Sequence, residues 1–242
     1  MLLLLFSFLI FKGIVSIWLL SLLFLGWIIL TAIGSFHIRW NYFLPAKHFN
    51  YQIKKQRIAL TFDDGPNTEF TPKFLDLLKK HQAKATFFCI GKHIEQHPEL
   101  AKRIINEGHL IGNHSYAHTN NYGFLNTKQV IEDISKTQQL IKTNLNISNK
   151  LFRPPFGVTN PNIAKAVKSL DLQTIGWSIR TLDTKVKSSQ EVIDKITPKI
   201  KKGDIILLHD SSELSFLILE QLLQFLEEHK YKSVTIDELF KQ

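Results

Sequence analysis

The chain has 242 residues, 44% of them hydrophobic, and once a strongly apolar lead is set aside that length suits one domain with a sizeable core. A formal charge of +9 fits an anionic neighbour or simply a Lys-rich solvated surface. The basic residues are scattered, with short clusters at Lys54, Lys55, Arg57 and at Lys199, Lys201, Lys202, and no nucleic-acid-binding motif accompanies them, so nucleic acid is not an expected partner. The single cysteine, Cys89, excludes an intramolecular disulfide and a multi-Cys zinc site, and its apolar neighbours make it a core thiol.

Residues 2–33 are apolar apart from Lys12 and a few small or hydroxylated residues. Residues 14–33 are twenty without a charge, enough at ~1.5 Å each to cross a ~30 Å hydrocarbon layer. Arg39, Trp40, Tyr42 and Phe43 follow as an interfacial girdle. A membrane anchor over 1–36 is expected; the competing reading is a cleaved signal peptide with Ala32 and Gly34 before the cut. A linker over 37–56 leads to a domain over 57–242.

That domain alternates strand and helix. Strands are expected at 58–62, 84–90, 110–112, 151–152, 172–177 and 204–208, with a last strand and short helix at the end. Helices are expected from Thr71-Pro72, from Pro98 to Gly108, from Thr127, and over 161–170, 189–200 and 213–229. Repeated βα units imply a mainly parallel sheet, open or closed into a barrel.

Parallel α/β folds carry their sites at the carboxyl ends of strands. Five such ends here are polar: Asp63-Asp64-Gly65-Pro66, Asn113-His114-Ser115-Tyr116-Ala117-His118, Arg153-Pro154-Pro155-Phe156-Gly157, Arg180-Thr181-Leu182-Asp183 after Trp177, and His209-Asp210. Each alone has a plain explanation: a capped turn, two surface histidines on one helical face, a stiff loop, a satisfied core histidine. All five together point to chemistry. Two imidazoles four residues apart can face the same way in a helical turn, and one carboxylate completes a three-ligand metal set that leaves a position for water. Adjacent aspartates on an extended chain face opposite ways, so one can ligate while the other takes the water's proton. His209 titrates in the range needed to protonate a departing amine, with Arg153 and Asp183 as tuners of the aspartate and the histidine.

The five segments, in this order, resemble the polysaccharide deacetylases of the NodB-homology type, carbohydrate esterase family 4, over residues 57–231. The resemblance implies a distorted (β/α) barrel with fewer than eight units, here preceded by an N-terminal transmembrane helix. It implies Asp63 as catalytic base, Asp64, His114 and His118 as ligands of a divalent metal, with zinc the first expectation, and His209 as catalytic acid. Arg153 matches the arginine that holds the base and Asp183 the partner of the histidine. Leu207 matches the lining of an acetyl pocket, to which Trp177 is added, and the Phe156 amide an oxyanion donor. Phe156 replaces the tyrosine usual there. Arg180 and Thr184 stand where many members carry Asp and Trp, which leaves the substrate groove open to variation.

The function expected is removal of N-acetyl groups from an amino sugar in a cell-wall or surface glycan, with the catalytic domain outside the cytoplasm and the membrane as second partner. The alternatives are a deacylase or deformylase of a lipid-linked sugar, an inactive glycan-binding module, and a structural membrane protein with incidental histidines.

Overall fold

The structure is a computed structural model describing residues 12, 13 and 16–241; the amino-terminal part of the expected anchor, Ile14 included, lies outside the described residues. Helix α1 (Ile17–Phe36) is capped by the Ser16 hydroxyl. Its apolar side chains are exposed all round, Trp18 at 80% and Leu22 at 66%. A helix apolar on every face with no protein around it has the pattern of a membrane span. Among the described residues it is the one helix long and apolar enough to cross a membrane.

The domain runs β1 (Ala46–Lys47), β2 (Arg57–Asp63), α2 (Thr71–Lys80), β3 (Ala85–Cys89), α3 (Gly91–Gln96), α4 (Pro98–Asn106), β4 (Leu110–Asn113), α5 (Thr127–Leu145), β5 (Leu151–Phe152) and α6 (Pro161–Ser169). It continues with β6 (Gln173–Ile175), β7 (Ile179–Arg180), α7 (Ser189–Ile196), β8 (Ile205–His209), α8 (Glu213–Glu228), β9 (Lys232–Ser233) and α9 (Ile236–Phe240). The strands order as β1-β6-β5-β4-β3-β2-β8-β7, each neighbouring pair parallel, with β9 beside the start of β2. This curled sheet with helices around it is the distorted (β/α) barrel that the motifs imply. β6 passes into β7 through three residues with no helix between, so the ring holds fewer than eight units.

Side-chain alternation places the site. On β2, Ile58, Leu60 and Phe62 point outward to a core shared with α2 and α8, while Ala59 points inward beside Phe88, Ile205 and Leu207. Thr61 and Asp63 continue the inward row, as His209 continues that of Ile205 and Leu207. Strands buried on both faces read as continuous apolar runs, which is why β2, β3 and β8 are so legible. The outer helices are amphipathic: α2 starts on Pro72 and buries Phe74, Leu75, Leu77 and Leu78, each worth about 1.5–3 kcal/mol of transfer free energy. Asn126 and Gln129 form a reciprocal capping box at the start of α5.

The stretch between α1 and β2 is not free chain. β1 pairs with β6, Ala46 opposite Thr174 and Lys47 opposite Ile175. Ile38 is buried in the barrel interior with Trp177, Ile175 and Ile205.

Candidate active site

Parallel strands all end at one rim, so Asp63 and His209, opposite each other on β2 and β8, stand side by side there. Asp63 is 4% exposed, and its Oδ1 accepts from Arg153 Nη1 at 2.7 Å. Arg153 is fully buried and uses four of its five N–H donors: Nη1 also to Thr61 Oγ1, Nε to the Ile175 carbonyl and Nη2 to the Gly176 carbonyl, these three at 2.9–3.0 Å. Its guanidinium lies 4.1 Å from the centre of the Phe88 ring. A cation fixed this fully on one carboxylate oxygen leaves the other, Oδ2, facing the site.

Asp64 follows in the left-handed region, φ 75°, which turns its side chain away from the inward row. Its Oδ1 lies 3.5 Å from His114 Nε2 and 3.4 Å from His118 Nε2. The two histidines meet through an irregular loop, not the helical turn expected, with Ser115 (φ 67°) and His118 (φ 46°) both left-handed. The His118 amide donates to Ser115 Oγ and the Ser115 amide to Asn113 Oδ1, which hold that loop. Backbone conformations this uncommon persist where the surroundings over-determine them.

The three side chains fit a divalent cation. Asp64 Oδ1 is buried with no hydrogen-bond partner, an arrangement costly unless a cation satisfies it. Among the described residues, Asp64, His114 and His118 are the Asp/His group whose donor atoms converge closely enough to hold a metal ion. Separations of 3.4–3.5 Å are close to the ~3.3 Å edge of a tetrahedron with ~2.0–2.1 Å bonds. His114 Nδ1 donates to the Arg153 carbonyl at 2.7 Å, which puts the ring proton there and leaves the Nε2 lone pair toward Asp64. Burial and the neighbouring His114 push His118 down to about 4, keeping it neutral. Burial alone raises Asp64, but His114 and His118 outweigh it and hold the carboxyl well below its usual range. Burial alone lowers His114, but Asp63 and Asp64 outweigh it and raise its pKa.

His209 faces this set with a carboxylate behind it. Nδ1 bonds Asp183 Oδ1 at 2.9 Å, and the His209 amide donates to Asp183 Oδ2 at 2.8 Å. Thr181 and Ser215 hydroxyls fill the other acceptor positions of Asp183. Burial works to lower the imidazole, but the bond to and charge of Asp183 prevail and raise it to about 9. Leu207 lies inward two residues below. Trp177 packs in the same interior, its ring against Gly157, where a Cβ would overlap it. Phe156 is left-handed (φ 59°) and half-exposed, its ring 4.6 Å from that of His118. The two amides after it, of Gly157 and Val158, are committed to the carbonyls of Pro154 and Pro155.

The ten residues named from the sequence thus gather at one rim or directly beneath it. Others were missed. Asp210 is fully buried, accepts from the Thr71 hydroxyl, and lies under the Asp64-Gly65 turn: a Cβ on Gly65 would stand 2.5 Å from its Oδ2. Burial pushes Asp210 up to about 7. Its place beside His209 was the available signal. Thr61 and Ser215, ordinary strand and helix residues in sequence, gave none, and Thr181 was passed over within its polar strand end.

A (β/α) barrel with an Asp/His/His cluster that could hold a metal ion, an arginine-held carboxylate and a carboxylate-held histidine at its carboxyl rim has the arrangement of a class, the barrel hydrolases. Comparison with known proteins narrows it. Residues 50–175 match the polysaccharide deacetylase family model, and the chain belongs to that family of hydrolases. It is 35% identical over 197 residues to a peptidoglycan-N-acetylglucosamine deacetylase of Bacillus cereus, covering 80% of this chain and 71% of the relative. It is 35% identical over 193 residues to the peptidoglycan-N-acetylmuramic acid deacetylase PdaA of Bacillus subtilis, covering 77% and 72%. The crystal structure of the Bc1960 peptidoglycan N-acetylglucosamine deacetylase superposes with a TM-score of 0.75 at 35% identity, over 81% of this chain and 92% of that one.

Proposed function

We propose that the protein is a membrane-anchored, metal-dependent deacetylase of N-acetylated amino sugars in cell-wall glycan. The observation that carries this is the convergence of Asp64, His114 and His118 at the rim where Asp63 and His209 stand side by side. Asp64 and the two histidines hold the divalent ion, zinc by donor type. When bound, the ion supplies Lewis acidity toward a carbonyl oxygen and acidifies water. Asp63, with Oδ1 held by Arg153, receives the proton of the attacking water on Oδ2. The Phe156 amide, on a turn whose other amides are committed, donates to the oxygen that becomes anionic. His209, kept protonated by Asp183, delivers a proton from Nε2 to the amine as the C–N bond breaks. Leu207 and Trp177 make the apolar floor for the acetyl methyl.

Retention of α1 is supported by the structure around its last turn. Cleavage near Ala32 or Gly34 would disturb a segment whose Gly34 and Ser35 carbonyls accept from Thr159. The glycan substrate then puts the domain outside the cytoplasm. The test is mass spectrometry of purified glycans incubated with the protein. One acetyl mass lost per modified sugar, abolished by chelation and restored by zinc, is the expected result; activity unchanged in metal-free protein overturns the reading.

A further inference from the structure

The ligand set is carried by two separate pieces of chain, the turn after β2 and the loop after β4, and helix α3 lies between them, tied to both. On one side the Gly91 amide donates to the Ser115 carbonyl at 2.9 Å and the Lys92 amide to the Tyr116 carbonyl at 3.0 Å, so the first turn of α3 holds the histidine loop by its main chain. The Tyr116 hydroxyl adds a bond to the Glu95 carboxylate at 2.6 Å. On the other side the amide of Ile90, the cap residue of α3, donates to the Gly65 carbonyl at 3.0 Å, and His93 Nδ1 bonds the Asp64 carbonyl at 2.8 Å. Ile94 pins α3 in place, fully buried in the outer core.

His93 is a half-buried histidine outside the converging Asp/His group, and none of the acid–base steps uses it. A carbonyl only accepts, so Nδ1 is the ring nitrogen that carries the donated proton. The bond falls on the residue of the site whose backbone most needs support. Asp64 has φ 75°, a region that side chains with a Cβ rarely adopt and that persists where the surroundings over-determine it. Before Asp64, the chain is fixed by the pairing of Asp63 with Phe88 and His209. After it, the chain is fixed by His93 on the Asp64 carbonyl and Ile90 on the next one. Without the His93 bond, the peptide after Asp64 is free to rotate and to carry Oδ1 away from its place 3.4–3.5 Å from the two histidine Nε2 atoms.

We infer that His93 is a positioning residue of the metal site: its Nδ1–H, through the Asp64 carbonyl, sets the Asp64 carboxylate at the distance from His114 and His118 that a shared divalent cation requires. This rests on reading those three residues as metal ligands. The role lies in metal affinity, not in proton transfer, since among the described residues no hydrogen bond joins His93 to Asp63 or His209.

The test is the zinc affinity of the full chain in detergent, measured without substrate by competition with a chromophoric chelator. His93→Ala is expected to weaken zinc binding about 10–100-fold, while kcat for acetate release at saturating zinc stays within about threefold of the parent. An asparagine amide nitrogen reaches the place of Nδ1, whereas a glutamine amide nitrogen reaches that of Nε2. His93→Asn is therefore expected to bind zinc within about threefold of the parent and His93→Gln to be as weak as His93→Ala. The Asn and Gln variants, alike in polarity, carry the comparison if the Ala variant fails to fold. A merely structural histidine would not separate them in this order. Parent-like affinity in His93→Gln, or a loss in His93→Asn as large as in His93→Gln, overturns the inference and leaves the metal reading standing. A parent chain that binds no zinc overturns that reading and the inference with it.

Discussion

At the scale of single residues, two adjacent aspartates are assigned different work by their backbone. Asp63 continues the inward row of β2 and is held by Arg153; Asp64 turns left-handed toward the histidines. Asp63→Asn is therefore expected to keep its metal and lose about 10²–10⁴ in kcat. Asp64→Asn and His114→Ala are expected to lose metal as well as activity. Elemental analysis beside acetate release checks this, and metal lost from Asp63→Asn alone reverses the assignment. His209 acts as an acid only while protonated, so kcat/KM should fall as pH rises through about 9. Asp183→Asn removes the partner that opposes burial, so that limb should move down toward the ordinary imidazole value of 6.5 or below it. An unmoved limb would remove His209 from the role of acid. Gly65→Ala sets a Cβ against the Asp210 carboxylate, 2.5 Å from Oδ2, under the Asp64 turn. It should cost about 1–3 kcal/mol of stability and weaken metal binding, by denaturant titration and zinc competition.

At the scale of elements, the strand ends were readable because each places a chemically unusual group after an apolar run. The connections were not. Helix α3 is six residues long, too short to show an amphipathic period. β1 is two residues and exists through its pairing with β6. The segment before it reads as a linker, yet Ile38 is 3% exposed inside the barrel. Ile38→Ala should then cost about 2–4 kcal/mol by denaturant unfolding, as a core truncation does, whereas a linker residue would cost under about 0.5 kcal/mol. The His114–His118 pair shows the same limit: its spacing suggested a helical turn, and a loop with two left-handed residues achieves the convergence instead.

At the scale of the whole molecule, one apolar helix among the described residues joins the barrel beside the rim where the candidate site residues gather. Protease added to intact spheroplasts should release a fragment of the soluble domain's size. Protection until the membrane is opened would place the domain in the cytoplasm and turn the substrate toward intracellular sugars. By itself the sequence determined the parallel βα frame and singled out ten residues that gather at its rim, because hydrophobic periodicity and strand-end polarity are local properties carried by neighbours in the chain. Only the tertiary structure decided how Arg153, from β5, locks Asp63 on β2, and how Thr181 and Ser215 complete the shell of Asp183. It alone set the end of α1 against the loop that carries Phe156. Those contacts join residues far apart in sequence, and their partners are common residue types that acquire a role through burial and distance.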